Sequence, residues 1–321
     1  MQERFLEIMI KRTIKLLALL TAISLSFGSV SAFATSDRPE WLKRADGEII
    51  VPLDPEEAQK KADFEAWQEA KKNAKVPILL YHHITTEEFT NEEAVSLISP
   101  TDFRLHMTAI KVNFSPITLR DYYEYVMCDD GSVSLPQNPI IITFDDGYLS
   151  NYEIAFPILK ELGIPATIFV VTDTVGAVAG EGKVNHTHFN WEQAKEMEDS
   201  GLIEIQSHTV DHKRMTELDA GEVIRQLRKS KYDIEKNLGR ECDMIAYPYG
   251  DYTDDIRLMA KAAGYKMQLL VDDKTTQEEY DVNIPSEGVE NVTRMTIEGS
   301  MGNVNVIDII RRTINKKVIP E

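Results

Sequence analysis

Short apolar runs punctuate the chain, and three of them end on side chains able to do chemistry. Val76-Pro77-Ile78-Leu79-Leu80-Tyr81 leads to His82 and His83, Ile140-Ile141-Ile142-Thr143-Phe144 to Asp145, Asp146 and Gly147, and Ile203-Glu204-Ile205-Gln206-Ser207 to His208. A β-favouring run with no polar break reads as a strand buried on both faces, the pattern of a parallel sheet. Further strands are predicted at Ile117–Leu119, Ala166–Val171, Met244–Ala246, Lys266–Val271 and Thr293–Ile297. Between them the period lengthens, predicting helices through Phe103 and Ile110, over Asp121–Val126, from near Phe156 to Gly163, over Trp191–Met197, through Val223 and Leu238 behind Thr216 and Asp219, over Asp254–Ala263 and over Asn303–Lys317. Strands alternating with helices, with polar residues gathered at strand C-terminal ends, describe a parallel sheet or barrel with its site on one face. About seven such units fit a barrel better than an open sheet. No G-x-G-x-x-G follows a strand, so a dinucleotide-binding fold is excluded.

The N-terminal quarter has a different character. Lys11, Arg12 and Lys15 precede an apolar run from Leu16 that ends in Ala32-Phe33-Ala34, the pattern of a secretory signal peptide over residues 1–34. A polar linker follows. Asp54-Pro55-Glu56-Glu57 then supplies an N-cap, a first-turn proline and first-turn acids for a helix to about Ala74, whose thin alanine stripe beside Phe64 and Trp67 can bury little. Residues 35–75 therefore read as linker and helical arm, and 76–321 as one catalytic-sized domain.

Charge narrows the partners. The chain of 321 residues carries a formal −18, and residues 1–34 hold four basic against two acidic side chains, so the remainder is near −20. So acidic a surface argues against nucleic acid and densely anionic polymers. Two cysteines, Cys128 and Cys242, match no zinc or redox spacing and read as buried thiols, with a disulfide left open by the exported compartment. His186 and His188 lie in a long polar loop and read as solvent-exposed.

An apolar strand that delivers paired carboxylates to a glycine turn needs a reason, because buried charge is costly. His208 and His212, four residues apart, could join a carboxylate of the Asp145-Asp146 pair as ligands of a divalent ion, leaving positions open for water and substrate. Neighbouring residues at a strand end point in different directions, so one aspartate can ligate while the other acts as base.

Thr143-Phe144-Asp145-Asp146-Gly147 with Ser207-His208-Thr209-Val210-Asp211-His212 resembles the first two motifs of the NodB-homology polysaccharide deacetylases, carbohydrate esterase family 4. The resemblance covers about residues 76–300. It implies an α/β fold, a distorted (β/α)7 barrel, that removes acetyl groups from N-acetylglucosamine-type sugars. It also implies that Asp146, His208 and His212 hold the metal, zinc first with cobalt or nickel as alternatives, and that Asp145 is the general base. Tyr247-Pro248-Tyr249-Gly250 is similar to the third motif, in which a backbone N–H, here that of Tyr249, serves the oxyanion; Tyr247, Pro248 and Tyr249 form the implied substrate side.

Two departures matter. The arginine that commonly opens the third motif and steadies the base is replaced by Ala246, and no histidine follows His212 to act as the late acid. Tyr81-His82-His83 and Tyr247-Pro248-Tyr249-Gly250 instead resemble the poly-N-acetylglucosamine deacetylase subgroup, which implies His82 as general acid. Alternation sends His83 to the other face. The expectation is an exported monomer, extracellular or at the cell envelope, acting on an N-acetylglucosamine polysaccharide and touching membrane only through an uncleaved signal segment. The competing expectations are a carbohydrate-binding protein that has lost the chemistry and a deacylase of a non-sugar amide or ester.

Overall fold

The computed structural model describes residues 54–88, 96–178, 186–271, 281–299 and 302–315; the expected signal peptide and linker lie outside them. The chain divides into two compact units, residues 1–60 and 61–321. Of the first, residues 54–60 are described. Asp54 Oδ1 accepts from the Glu56 N–H at 2.9 Å and starts helix α1 (Pro55–Asn73), in which no residue is buried.

Within the second unit, the later turns of α1 are held by a few specific contacts. Trp67 donates its indole N–H to the Val133 carbonyl at 2.7 Å and stands edge-on to Tyr125. Lys71 Nζ reaches the Val126 and Cys128 carbonyls at 2.7 and 2.6 Å. Those oxygens lie at the C-terminal end of a helix, where unsatisfied carbonyls favour a cation.

The remaining elements in chain order are β1 (Ile78–Tyr81), β2 (His83–Ile84), β3 (Leu97–Ile98), α2 (Pro100–Asn113), β4 (Ser115–Pro116), α3 (Leu119–Met127), β5 (Pro139–Phe144), a π-turn at Asn151–Ala155, α4 (Phe156–Leu162), β6 (Ala166–Val170), α5 (Trp191–Asp199), β7 (Ile203–Ser207), α6 (Ala220–Leu238), β8 (Met244–Ala246), α7 (Asp254–Ala262), β9 (Met267–Leu269), β10 (Met295–Thr296) and α8 (Gly302–Asn315). The sheet runs β10-β1-β5-β6-β7-β8-β9, all parallel. Its two edges are joined by one segment: Val292 bridges to Leu269 of β9, and three residues later Met295 pairs with Leu79 of β1. The result is the expected distorted (β/α)7 barrel.

Helix starts follow local chemistry. Ser99, Thr118, Asn190, Asp219 and Thr253 each accept from a backbone N–H of the first turn. The helix starts at Phe156 as expected, without a side-chain cap from Ser150, whose hydroxyl bonds Ile84 N–H at 3.0 Å and His83 Nδ1 at 2.7 Å. Pro157 has no N–H to donate, and the chain before it opens into a π-turn, with Phe156 N–H on Asn151 O.

Strand alternation splits the apolar residues into two layers. Leu79, Tyr81, Ile140, Ile142, Phe144, Ile205 and Ile245 face the helices. Ile78, Ile141, Phe169, Met244, Ala246, Met267 and Leu269 fill the barrel interior. The three isoleucines of β5 are wholly buried, each worth roughly 1.5–3 kcal/mol relative to exposure. At the strands' N-terminal ends Arg120 closes the barrel floor, pairing with Asp243 at 2.6 and 2.8 Å and with Glu204 at 2.7 Å. Both cysteines are free, Cys242 buried and Cys128 half-buried. Among the described residues no helix is long and apolar enough to cross a membrane.

Candidate metal centre and active site

The inward register of β5, Ile141 then Thr143, continues to Asp145, which is buried at the opposite end of the barrel from Arg120. Asp145 N–H still bonds the Tyr81 carbonyl at 3.0 Å, so the carboxylate is held as part of the sheet ladder. Asp146 then takes φ 71, a left-handed conformation that aspartate tolerates. This swings its carboxylate out of the strand alternation. Gly147 follows at φ 79, where a Cβ would stand 3.0 Å from Val170 Cγ1.

His208 extends β7 as Asp145 extends β5. Its Nδ1 lies 2.8 Å from the Ala246 carbonyl, which makes that nitrogen the N–H and leaves Nε2 with a free lone pair. Thr209 at φ 70 and His212 at φ 57 then bend the chain back over the barrel mouth. Asp146 Oδ1 lies 3.7 Å from His208 Nε2 and 3.5 Å from His212 Nε2, and one ligand atom from each of the three falls within 4.8 Å of the others. This donor set, two imidazoles and a carboxylate with one nitrogen already oriented, fits a divalent ion. Of the five non-glycine residues with positive φ among the described residues, four (Asp146, Thr209, His212 and Tyr249) surround this point, so backbone strain is concentrated at the candidate site.

Arg294, invisible to motif reading, clamps Asp145. It precedes β10, is 1% exposed, and donates Nη1 to Asp145 Oδ1 at 2.6 Å and Nη2 to Oδ2 at 2.8 Å, while its Nε bonds the Leu270 carbonyl. The guanidinium lies over the Phe169 ring, 5.3 Å from its centroid. Burial pushes the Asp145 carboxyl up, but the charge and hydrogen bonds of Arg294 outweigh it and hold the group well below the usual carboxylate range. His208 moves the other way: burial lowers it to about 4 against the pull of Asp145, 3.6 Å away. With His208 uncharged at neutral pH, Arg294 is the cation that keeps Asp145 ionised. In place of an arginine at Ala246, the one on Asp145 comes from the segment just before β10. Its sequence signal was a charged residue set among Val292, Met295 and Ile297, on the face that alternation assigns to the interior.

The other expected residues separate. His82 follows inward-facing Leu80 and is partly exposed; among the described residues its buried Nδ1 has no partner. His83 points outward, is buried, and falls to about 4 through burial and then the neighbouring His186 and His188. Tyr249 meets His212 edge-on at 4.7 Å and is half exposed. Tyr247 does not line the site. Alternation after β8 turns its side chain into the outer core, where its hydroxyl donates to Gln268 Oε1 at 2.6 Å, and Pro248 is buried in the following turn. His186 is exposed as expected. His188 is not: it is half-buried and stacked on Tyr148 at 5.0 Å, because Leu149 N–H and Phe189 N–H tie this loop to the turn after Asp146.

Comparisons with known proteins agree with this geometry. Residues 132–268 match the family described as polysaccharide deacetylase. YxkH of Bacillus subtilis, a protein assigned to the polysaccharide deacetylases, is 31% identical over 215 residues, 65% of this chain and 69% of that protein. The poly-β-1,6-N-acetyl-D-glucosamine N-deacetylase of Staphylococcus aureus strain MSSA476 is 32% identical over 178 residues, 53% of this chain and 59% of that enzyme. The deacetylase PplD of Streptococcus pyogenes shares the fold, with TM-score 0.61 and 24% identity over 74% of this chain and 98% of that one. The chain belongs to the polysaccharide deacetylase family, with its likeness directed to the poly-N-acetylglucosamine branch.

Proposed function

We propose that the protein is an exported, metal-dependent N-deacetylase of N-acetylglucosamine residues in exopolysaccharide or cell-wall glycan. The observation that carries this reading is the junction of Asp146, His208 and His212 with an ionised Asp145 clamped by Arg294. In this reading residues 1–34 are a signal peptide, 35–75 a linker and arm, and 76–321 the deacetylase domain of a monomer. Asp146, His208 and His212 hold a divalent ion, with zinc favoured by the donor set and cobalt or nickel able to replace it. Such an ion supplies Lewis-acid polarisation of the acetamide carbonyl and acidifies water.

The chain's own residues do the rest. Asp145 accepts the proton of the attacking water, its orientation fixed by two hydrogen bonds from Arg294. The Tyr249 backbone N–H is assigned to the developing oxyanion. His82 donates a proton to the leaving amine; its unpartnered Nδ1 and partial exposure support that role. The alternative of a binding protein without chemistry rested partly on the missing arginine, and Arg294 removes that ground.

The test is acetate release from poly-β-1,6-N-acetylglucosamine, chitin oligomers and peptidoglycan side by side, with chelated protein as control. Release should require metal, and Asp145→Asn should lower turnover by about 10²–10⁴. His82→Ala should slow turnover with metal content intact. Full activity in Asp145→Asn, or in chelated protein, refutes the reading.

A further inference from the structure

Beside the ligand set lies a cation with no assigned task. The Arg214 guanidinium sits over the Tyr249 ring, 4.2 Å from its centroid, and the same ring touches His212. Both side chains are exposed, but the backbone carrying each is held in place. Arg214 is set between His212, at φ 57, and the wholly buried Met215. Tyr249 is fixed at φ 61 in a turn closed by Gly250 N–H on the Tyr247 carbonyl at 2.9 Å.

The charge pattern singles Arg214 out. The chain has 35 basic side chains against 53 acidic ones, so a cation here readily finds a carboxylate. Lys213 pairs with Asp211 at 2.8 Å, Arg225 with Asp211 at 3.2 Å, and Arg294 with Asp145. Among the described residues Arg214 pairs with none. Asp251, two residues beyond Tyr249, accepts a hydrogen bond from Thr216 instead. A guanidinium stacked on a ring uses its face and keeps its in-plane N–H donors free for a planar, two-oxygen acceptor.

We propose that Arg214, braced on Tyr249, is a subsite for a carboxylate borne by the glycan next to the sugar being deacetylated. This rests on the deacetylase reading above. The lactyl ether of a muramic acid residue and an ester-linked succinyl group both present that carboxylate. The acidic surface sharpens the selection: a densely anionic polymer is repelled by the whole, while a sparse carboxylate meets one local cation.

The test uses two glycan pairs, peptidoglycan oligomers with the lactyl carboxylate free or methyl-esterified, and poly-β-1,6-N-acetylglucosamine with or without O-succinyl groups. The wild type should prefer the carboxylated member of at least one pair, through KM, and lose that preference with added salt. Arg214→Gln should cut the preference about tenfold and Arg214→Lys should restore part of it, because a point charge replaces the fork. The responding pair identifies the source of the carboxylate. No preference in the wild type, or an equal loss on both members in Arg214→Gln, overturns the subsite. Calorimetric binding of the same glycans reads the same ratio without turnover. Absence of acetate release from all four would therefore refute the deacetylase reading, while the binding ratio still decides this one.

Discussion

Replacing Arg294 with methionine removes the cation and leaves the 1%-exposed Asp145 carboxylate without its two donors. Breaking a buried pair from one side costs about 3–5 kcal/mol, because the remaining charge stays buried. For a domain of this size that is roughly 6–20 °C in Tm at neutral pH. The sign of the pH dependence follows from the two states. In the wild type the folded carboxyl lies below its unfolded value of about 3.9, so its stabilisation is complete above that pH and is lost only as pH falls through the lower folded value. In Arg294→Met burial acts unopposed and raises the folded carboxyl, so the penalty is full at neutral pH and is relieved as acid protonates Asp145. The Tm gap between wild type and variant should therefore shrink between pH 8 and pH 4.5. Thermal unfolding of chelated protein for the wild type, Arg294→Met, Asp145→Asn and the double variant would measure it, with the double variant less destabilised than the sum of the singles. A gap that does not change with pH, together with additive singles, would refute the clamp.

Two further substitutions probe the framework. Gly250→Ala places a Cβ 2.9 Å from Val271 N at φ +67, so it should cost about 1–3 kcal/mol and slow turnover by displacing Tyr249; an unchanged Tm in a denaturation scan would show that the turn is not constrained. Trp67→Ala removes the bond to Val133 and the contact with Tyr125. It should cost about 2 kcal/mol and speed limited proteolysis within residues 61–75 while acetate release is unchanged, and proteolysis at the wild-type rate would argue that the arm is held by other contacts.

Much of the barrel was legible because its strands are parallel. Unbroken apolar runs mark strands buried on both faces, and parallel strands bring their C-terminal ends to one side, so Asp145, His208 and His82 could be grouped before any contact was known. What motif reading could not supply was a partner separated by sequence distance alone. Arg294 lies 149 residues from Asp145, and only the closure of β10 onto β1 brings them together. Tyr247 was drawn into the site with its neighbours although alternation after Ala246 sends it outward. The helix start near Phe156 was legible from Pro157, whereas the bonds of the Ser150 hydroxyl to His83 and Ile84 across the fold were not.

That closure also sets an order of events. A chain emerging vectorially makes the Asp145 strand, then His208 and His212, and adds Arg294 long afterwards. Until the segment from Val292 to Met295 seats between β9 and β1, the barrel has two open edges and Asp145 has no clamp. Pairing the first strand with the last is a contact of very high sequence separation, the kind that forms slowly. The step that seals the sheet is therefore also the step that pairs the buried Asp145 carboxylate with its cation, so a partly folded chain carries that carboxylate unclamped.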